Sequence, residues 1–168
     1  MRSVVALFAV LLMTAAVPPD SPVADAAMRG DTERVRELLR GGADVNAAQG
    51  DGMTAIHWAA EHDAVEMTEV LVFAGANLEA TTRLGGFTPL LVASRTGSAA
   101  VVDKLLDAGA PIEAATSTGE TALHLAAAAG SSETASVLVS HGANLDAVEL
   151  TKGQTPLMFA AAYGRVDV

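Results

Sequence analysis

From Ser21 onward the chain repeats one order of apolar and polar positions. A short segment such as "TALHLAAAAG" carries the pattern Leu-x-x-Ala-Ala, which puts residues i, i+3 and i+4 on one face of a helix. After a Gly comes a second apolar stretch, such as "AAVVDKLLDAG", with Val101, Val102, Leu105 and Leu106 apolar. A Gly-Ala pair ends it, and an extended "PIEA" leads to a Gly-containing turn. The pattern predicts an all-α chain of helix–turn–helix units joined by β-hairpin loops. Thr is the expected N-cap of each first helix, and Pro after it suits the first helical position. Alanines on the first-helix face let neighbouring helices approach closely.

The order is periodic. Thr54, Thr88, Thr121 and Thr155 stand 34, 33 and 34 residues apart. Gly42, Gly75, Gly109 and Gly142 stand 33, 34 and 33 apart, in phase with the threonines. The threonine segments read "TAIHWAAEHD", "TPLLVASRTG", "TALHLAAAAG" and "TPLMFAAAYG". They resemble the ankyrin repeat, with its 33-residue period and its T-P-L-H-x-A mark. The resemblance covers about residues 21–168 and implies an ankyrin solenoid whose units stack because none buries its apolar face alone. Expected units are about 21–50, 51–84, 85–117, 118–151 and 152–168. The first is read as partial. The last stops at "GRVDV", inside an expected second helix, and is read as truncated.

Several positions depart from the repeat. Asp63 stands where Gly97, Gly130 and Gly164 stand, at a place expected to need a left-handed backbone. Leu91 and Met158 replace the motif His. The hairpins before Thr88 and Thr155 are one residue longer than the others.

Ahead of the repeats, "MRSVVALFAVLLMTAAVPPD" has one Arg, an unbroken apolar run from Val4 to Leu12, small residues to Val17, and Pro18-Pro19. Such a run is short against the ~20 apolar residues that span a bilayer. Residues 1–16 are therefore read as a signal peptide cut near Ala16, with 17–20 a short linker and an exported, periplasmic or secreted, mature chain. A cut after Ala26 also satisfies the small-residue rule, but it would remove "SPVADAAMRGD", the first helix of the first unit. In that helix Ser21 is the expected cap and Pro22 the first helical residue.

Composition narrows the function. There are 10 basic and 20 acidic residues, a formal charge of −10, which argues against nucleic acid and anionic membrane surfaces. No stable membrane insertion is expected after signal removal. The 168 residues contain no Cys, which excludes disulfides and a thiol nucleophile. The stretch "TAIHWAAEHD" holds two His and a Glu, but His57 and His62 are five apart and point about 140° away from each other on a helix. A zinc pair on one helix face needs i, i+4. "DVNAAQGDG" from Asp44 fails as a calcium loop at Ala48, Gln49 and Ala55. No phosphate-binding glycine motif or nucleophile elbow occurs. Neither a catalytic site, a cofactor nor a metal is expected.

The resemblance implies that His57 and His124 tie backbone between units, and that binding uses a concave face of first helices and hairpin tips. On the first helices, helical phase places Trp58 with Glu61 and His62, away from Ile56. The equivalents give a row Trp58–Val92–Leu125–Phe159, read equally as a binding groove or as half-buried packing, with Arg95 and Tyr163 beside it. Trp58 is the expected anchor, with Glu61 and His62 as its polar rim. Tip candidates are Met53; Arg83, Leu84 and Phe87; Glu120; and Lys152. The expected function is a non-enzymatic scaffold that binds a partner protein of unknown identity. The alternative is a targeting or regulatory region of a longer protein whose enzymatic or transport domain lies beyond Val168.

Overall fold

A computed structural model describes residues 21–166 and 168. The expected signal peptide, its cleavage point and the linker lie outside the described residues. The helices come in pairs: α1 (Pro22–Met28) with α2 (Thr32–Arg40), α3 (Ala55–Glu61) with α4 (Val65–Phe73), α5 (Pro89–Thr96) with α6 (Ala99–Asp107), and α7 (Ala122–Ala129) with α8 (Ser132–Ser140). α9 (Pro156–Ala162) follows. The first unit has both of its helices. First helices pack on first helices, α1 on α3, α5, α7 and then α9; second helices form a parallel layer, α2 on α4, α6 and α8.

The core lies between and within these layers. Ile56, Leu90 and Leu123 are buried at the same position of three units, as are Ala59, Ala93 and Ala126. Val35, Leu71, Leu105 and Leu138 meet them from the second helices. Alanine at the contact is what lets successive first helices pack, since interaxial distance depends on the side chains between them. Val23, Ala26 and Ala27 are buried in α1, so that helix belongs to the stack.

Helix starts follow one rule with two forms. Thr88 and Thr155 accept the backbone N–H of Leu91 and Met158, each at 3.4 Å. Where the third helical residue is His, a reciprocal capping box forms: the threonine side chain accepts that residue's backbone N–H, and the imidazole Nδ1 accepts the threonine N–H. Leu91 and Met158 thus mark where threonine caps the backbone with no imidazole in return. Ser21 occupies the cap position of α1 without a side-chain cap bond, a departure from expectation. Its backbone carbonyl, rather than its hydroxyl, receives the N–H of Asp25. Asp63 has φ 52°, the left-handed backbone its glycine counterparts adopt.

The hairpins carry no named strand among the described residues, only an isolated bridge between Ala115 and Thr121. Adjacent hairpins are nevertheless joined in sequence. Arg83 N–H donates to Asp51 O at 2.8 Å, Ser117 N–H to Gly85 O at 2.9 Å, and Leu150 N–H to Thr118 O at 2.8 Å. Gly52 and Gly119 sit under these joins, at φ 88° and 84°, with neighbouring backbone about 3 Å from any added Cβ. Among the described residues no helix is long and apolar enough to cross a membrane.

Candidate functional site

His57 sits at the third helical position of α3, fully buried. Its Nδ1 is 3.2 Å from Thr54 N and 2.8 Å from Thr54 Oγ1. The backbone N–H can only donate, so Nδ1 is the acceptor and the ring proton is on Nε2. That Nε2–H donates to Phe87 O, 3.0 Å away in the next hairpin. His124 repeats the arrangement, with Nε2 donating to Gln154 O at 2.9 Å. Burial pushes the His57 imidazole below its ordinary 6.5, against the pull of the Phe87 and Ala80 carbonyls and of Asp51. With Nδ1 of His57 spent on Thr54 of its own unit and Nε2 on Phe87 of the next, the ring offers no free lone pair to a metal.

Trp58 does not stand outward as a free anchor. It is half-buried, and its indole N–H donates to Gln49 Oε1 at 2.8 Å. Gln49 in turn donates to Asp25 Oδ1 of α1 at 2.6 Å. His62 stacks on the indole at 5.9 Å and 23° and donates from Nε2 to Met28 O at 3.0 Å. Glu61 pairs with Arg95 of the next unit at 2.7 Å. The expected anchor and rim therefore hold unit two to units one and three. The reason is reach: the preceding hairpin brings Gln49 back over the ring.

The apolar row is packing. Val92 is 1%, Leu125 7% and Phe159 9% exposed. Phe159 lies edge-on to His124, with centroids 5.1 Å apart. These three side chains are largely covered by neighbouring helices, while Val92 and Phe159 also reach the floors of two clefts between the hairpin tips.

The tip residues come together in two clefts. Met53, Leu84, Phe87 and Arg95 line the first, with Asp51, Thr82 and Val92, around a volume of about 220 Å³. Leu84 is 83% exposed. Phe87, expected to be exposed, is half-buried: its ring lies against Gly85, where a Cβ would come within 2.6 Å, and under the Arg95 guanidinium at 4.9 Å. Arg83 is exposed at the tip. Glu120, Lys152, Phe159 and Tyr163 line the second cleft, of about 260 Å³, with Thr151, Gln154 and Ala162. Tyr163 is exposed and packs on Phe159 at 6.2 Å.

Sequence reasoning missed Glu149. It is buried at the base of the last hairpin. Its carboxylate accepts the hydroxyl of Thr151, and the backbone N–H groups of Thr151 at 2.6 Å, Lys152 at 2.7 Å and Gln154 at 3.1 Å. The Thr151 hydroxyl first, and the three amides with it, hold the acid down at about 2. The signal was present in register: Thr82 and Thr116 supply a side-chain oxygen at the base of their hairpins, to Phe87 N–H and Glu120 N–H.

Comparison with known proteins places this geometry. A family model described as ankyrin repeats (3 copies) matches residues 23–116 and 111–168. The chain is 33% identical over 135 residues to neurogenic locus notch homolog protein 1 of Xenopus tropicalis, and 32% identical to the Homo sapiens protein of that name. Each match covers 80% of this chain and 5% of the relative. It is 35% identical to a Danio rerio protein that carries the name palmitoyltransferase ZDHHC13, over 79% of this chain and 20% of that one. The chain thus spans a small part of the length of these relatives. The family model covers most of the chain, in keeping with its paired helices in two layers and its hairpins joined in series, and the chain belongs to the ankyrin-repeat family.

Proposed function

Ankyrin repeats form a protein-binding scaffold, and we propose that this one recognises its partner through the hairpin tips and the clefts between them. One observation carries the reading. The first-helix row is largely buried, whereas Leu84 stays exposed over a cleft lined by two of its fellow tip candidates, Met53 and Phe87, and by Arg95. A large apolar side chain held out by a tied hairpin has no fold role that burial would explain. Interface cores are enriched in such apolar and aromatic groups, with Arg beside them. Arg83 and Arg95 stand there. Met53, Leu84, Phe87, Arg83 and Arg95 form the first half of the surface; Glu120, Lys152 and Tyr163 form the second.

The partner is a protein rather than nucleic acid, in keeping with a formal charge of −10. The short apolar run of residues 4–17 supports export, with the binder acting outside the cytoplasm. A second reading is supported by the relatives' proportions: repeats that fill 5% or 20% of a longer protein serve there as one region among others, and these would then be the recognition region of such a chain.

A photoreactive amino acid placed at position 84, and separately at position 136 on α8, tests the proposal in an extract of the source cells. Residue 84 should cross-link one protein partner and residue 136 none. Cross-linking from 136 alone would move the surface to the second helices.

A further inference from the structure

On the second-helix side, charged pairs join consecutive units. Arg36 of α2 meets Glu66 of α4, and Lys104 of α6 meets Glu69 of α4 at 2.9 Å. Each pairs a cation with an acid. The boundary between α6 and α8 is built differently. Asp103 and Asp107 lie one turn apart on α6, and His141, the C-cap of α8, faces them. One ligand atom from each of the three lies within 4.8 Å of the other two. His141 Nε2 is 3.0 Å from Asp103 Oδ1. Asp107 has no hydrogen-bond or ion-pair partner among the described residues, and Lys104 is held by Glu69.

The surroundings favour a cation. Asp107 is the last residue of α6 and His141 caps α8, so two helix C-termini meet here. Each end carries unpaired carbonyls and the negative end of a helix dipole. Two carboxylates at such a place repel one another and the carbonyls; Lys104 lends both a Coulombic pull, but its hydrogen bond goes to Glu69. An imidazole supplied by a separate unit adds the nitrogen ligand that a purely acidic surface lacks. We propose that Asp103, Asp107 and His141 bind a divalent ion of the zinc class and so clip the third and fourth units together. A mixed imidazole–carboxylate set suits zinc, whereas magnesium and calcium prefer oxygen alone. Two carboxylate oxygens and Nε2 make three ligands, and water completes the shell on the exposed side. Binding takes the Nε2 lone pair. The ring stays neutral, its proton moving from Nε2 to Nδ1, and the Nε2–Asp103 hydrogen bond gives way to the metal.

Zinc chloride titrated into the untagged full chain in a non-chelating buffer tests the site, with calorimetry and melting temperature read together. Near pH 7.5 one equivalent should bind and raise the melting temperature, because an ion that binds only the folded form stabilises it by mass action. Asp107→Asn and His141→Gln should each weaken binding by at least about tenfold, the loss of roughly 1.4 kcal/mol of binding free energy. His62→Gln, at the other exposed imidazole, should leave it intact. Absence of saturable binding, equal binding by Asp107→Asn and the parent, or tighter binding of calcium than of zinc would each overturn the proposal.

Discussion

His57 and Trp58 are neighbours in the chain and act on opposite sides of their unit. His57 joins α3 forward to the hairpin at Phe87; Trp58, through Gln49 and His62, joins it back to α1. Replacing His57 with Ala removes one of the two donors to Phe87 O, the Thr82 N–H remaining, and leaves the Thr54 N–H without its imidazole acceptor; it should cost about 1–3 kcal/mol in urea melts. The lowered imidazole value adds a pH signature. Its contribution is complete above the ordinary 6.5 and is lost as pH falls from there through the folded-state value. The stability gap between parent and His57→Ala should therefore narrow on acidification below 6.5; a constant gap would contradict the neutral-ring assignment. Trp58→Ala should also destabilise, by roughly 2–3 kcal/mol, since a half-buried indole and its hydrogen bond are removed together. An unchanged melting midpoint would return Trp58 to the binding surface. Asp63→Gly should gain up to ~1 kcal/mol, because φ 52° penalises any Cβ and the side chain has no hydrogen-bond partner among the described residues.

At the level of elements, helix starts, pair order and turns were legible because each rests on local chemistry: Thr before Pro or Ala, Leu-x-x-Ala-Ala, and Gly or Asp at the turn. What was not legible depends on how side chains fold back, between units and within a single hairpin. Helical phase assigned Trp58 a side but did not show that Gln49 returns over it. Phe87 read as exposed because nothing local reveals that its ring lies on Gly85. Glu149 was not singled out in the longer hairpin "VELTKGQ", yet it organises that turn. Its stabilising effect should be complete above the ordinary 4.5 and lost as pH falls through about 2. Amide exchange of Thr151, Lys152 and Gln154, corrected for intrinsic rates, should accelerate over that window. Glu149→Gln should show the acceleration already at neutral pH. Equal exchange in the parent and the variant would mean that the hairpin is held by its other bonds.

At the scale of the whole molecule, stability passes between neighbouring units, as in any stacked array. α1, α3, α5 and α7 each pack on their own second helix, while α9 packs on α7. Leu157 is accordingly 74% exposed, although its counterparts Ile56, Leu90 and Leu123 are buried. Protection from amide exchange should fall from α5 and α7 to α9, and Phe159 should exchange well before Leu125; equal protection of the two would contradict nearest-neighbour coupling. The period announced this array, and with it the fold. The proposed binding surface was only partly legible, since the same phase that marks a groove also marks a packed row. The proposed division assigns cohesion to the first-helix faces and recognition to the tips. Leu84→Ala tests it most directly, with the dissociation constant for the cross-linked partner and the melting temperature measured on one preparation. The account predicts an unchanged melting temperature and binding weakened about tenfold or more, the loss expected of an anchor residue. Parent-like binding by Leu84→Ala would contradict it.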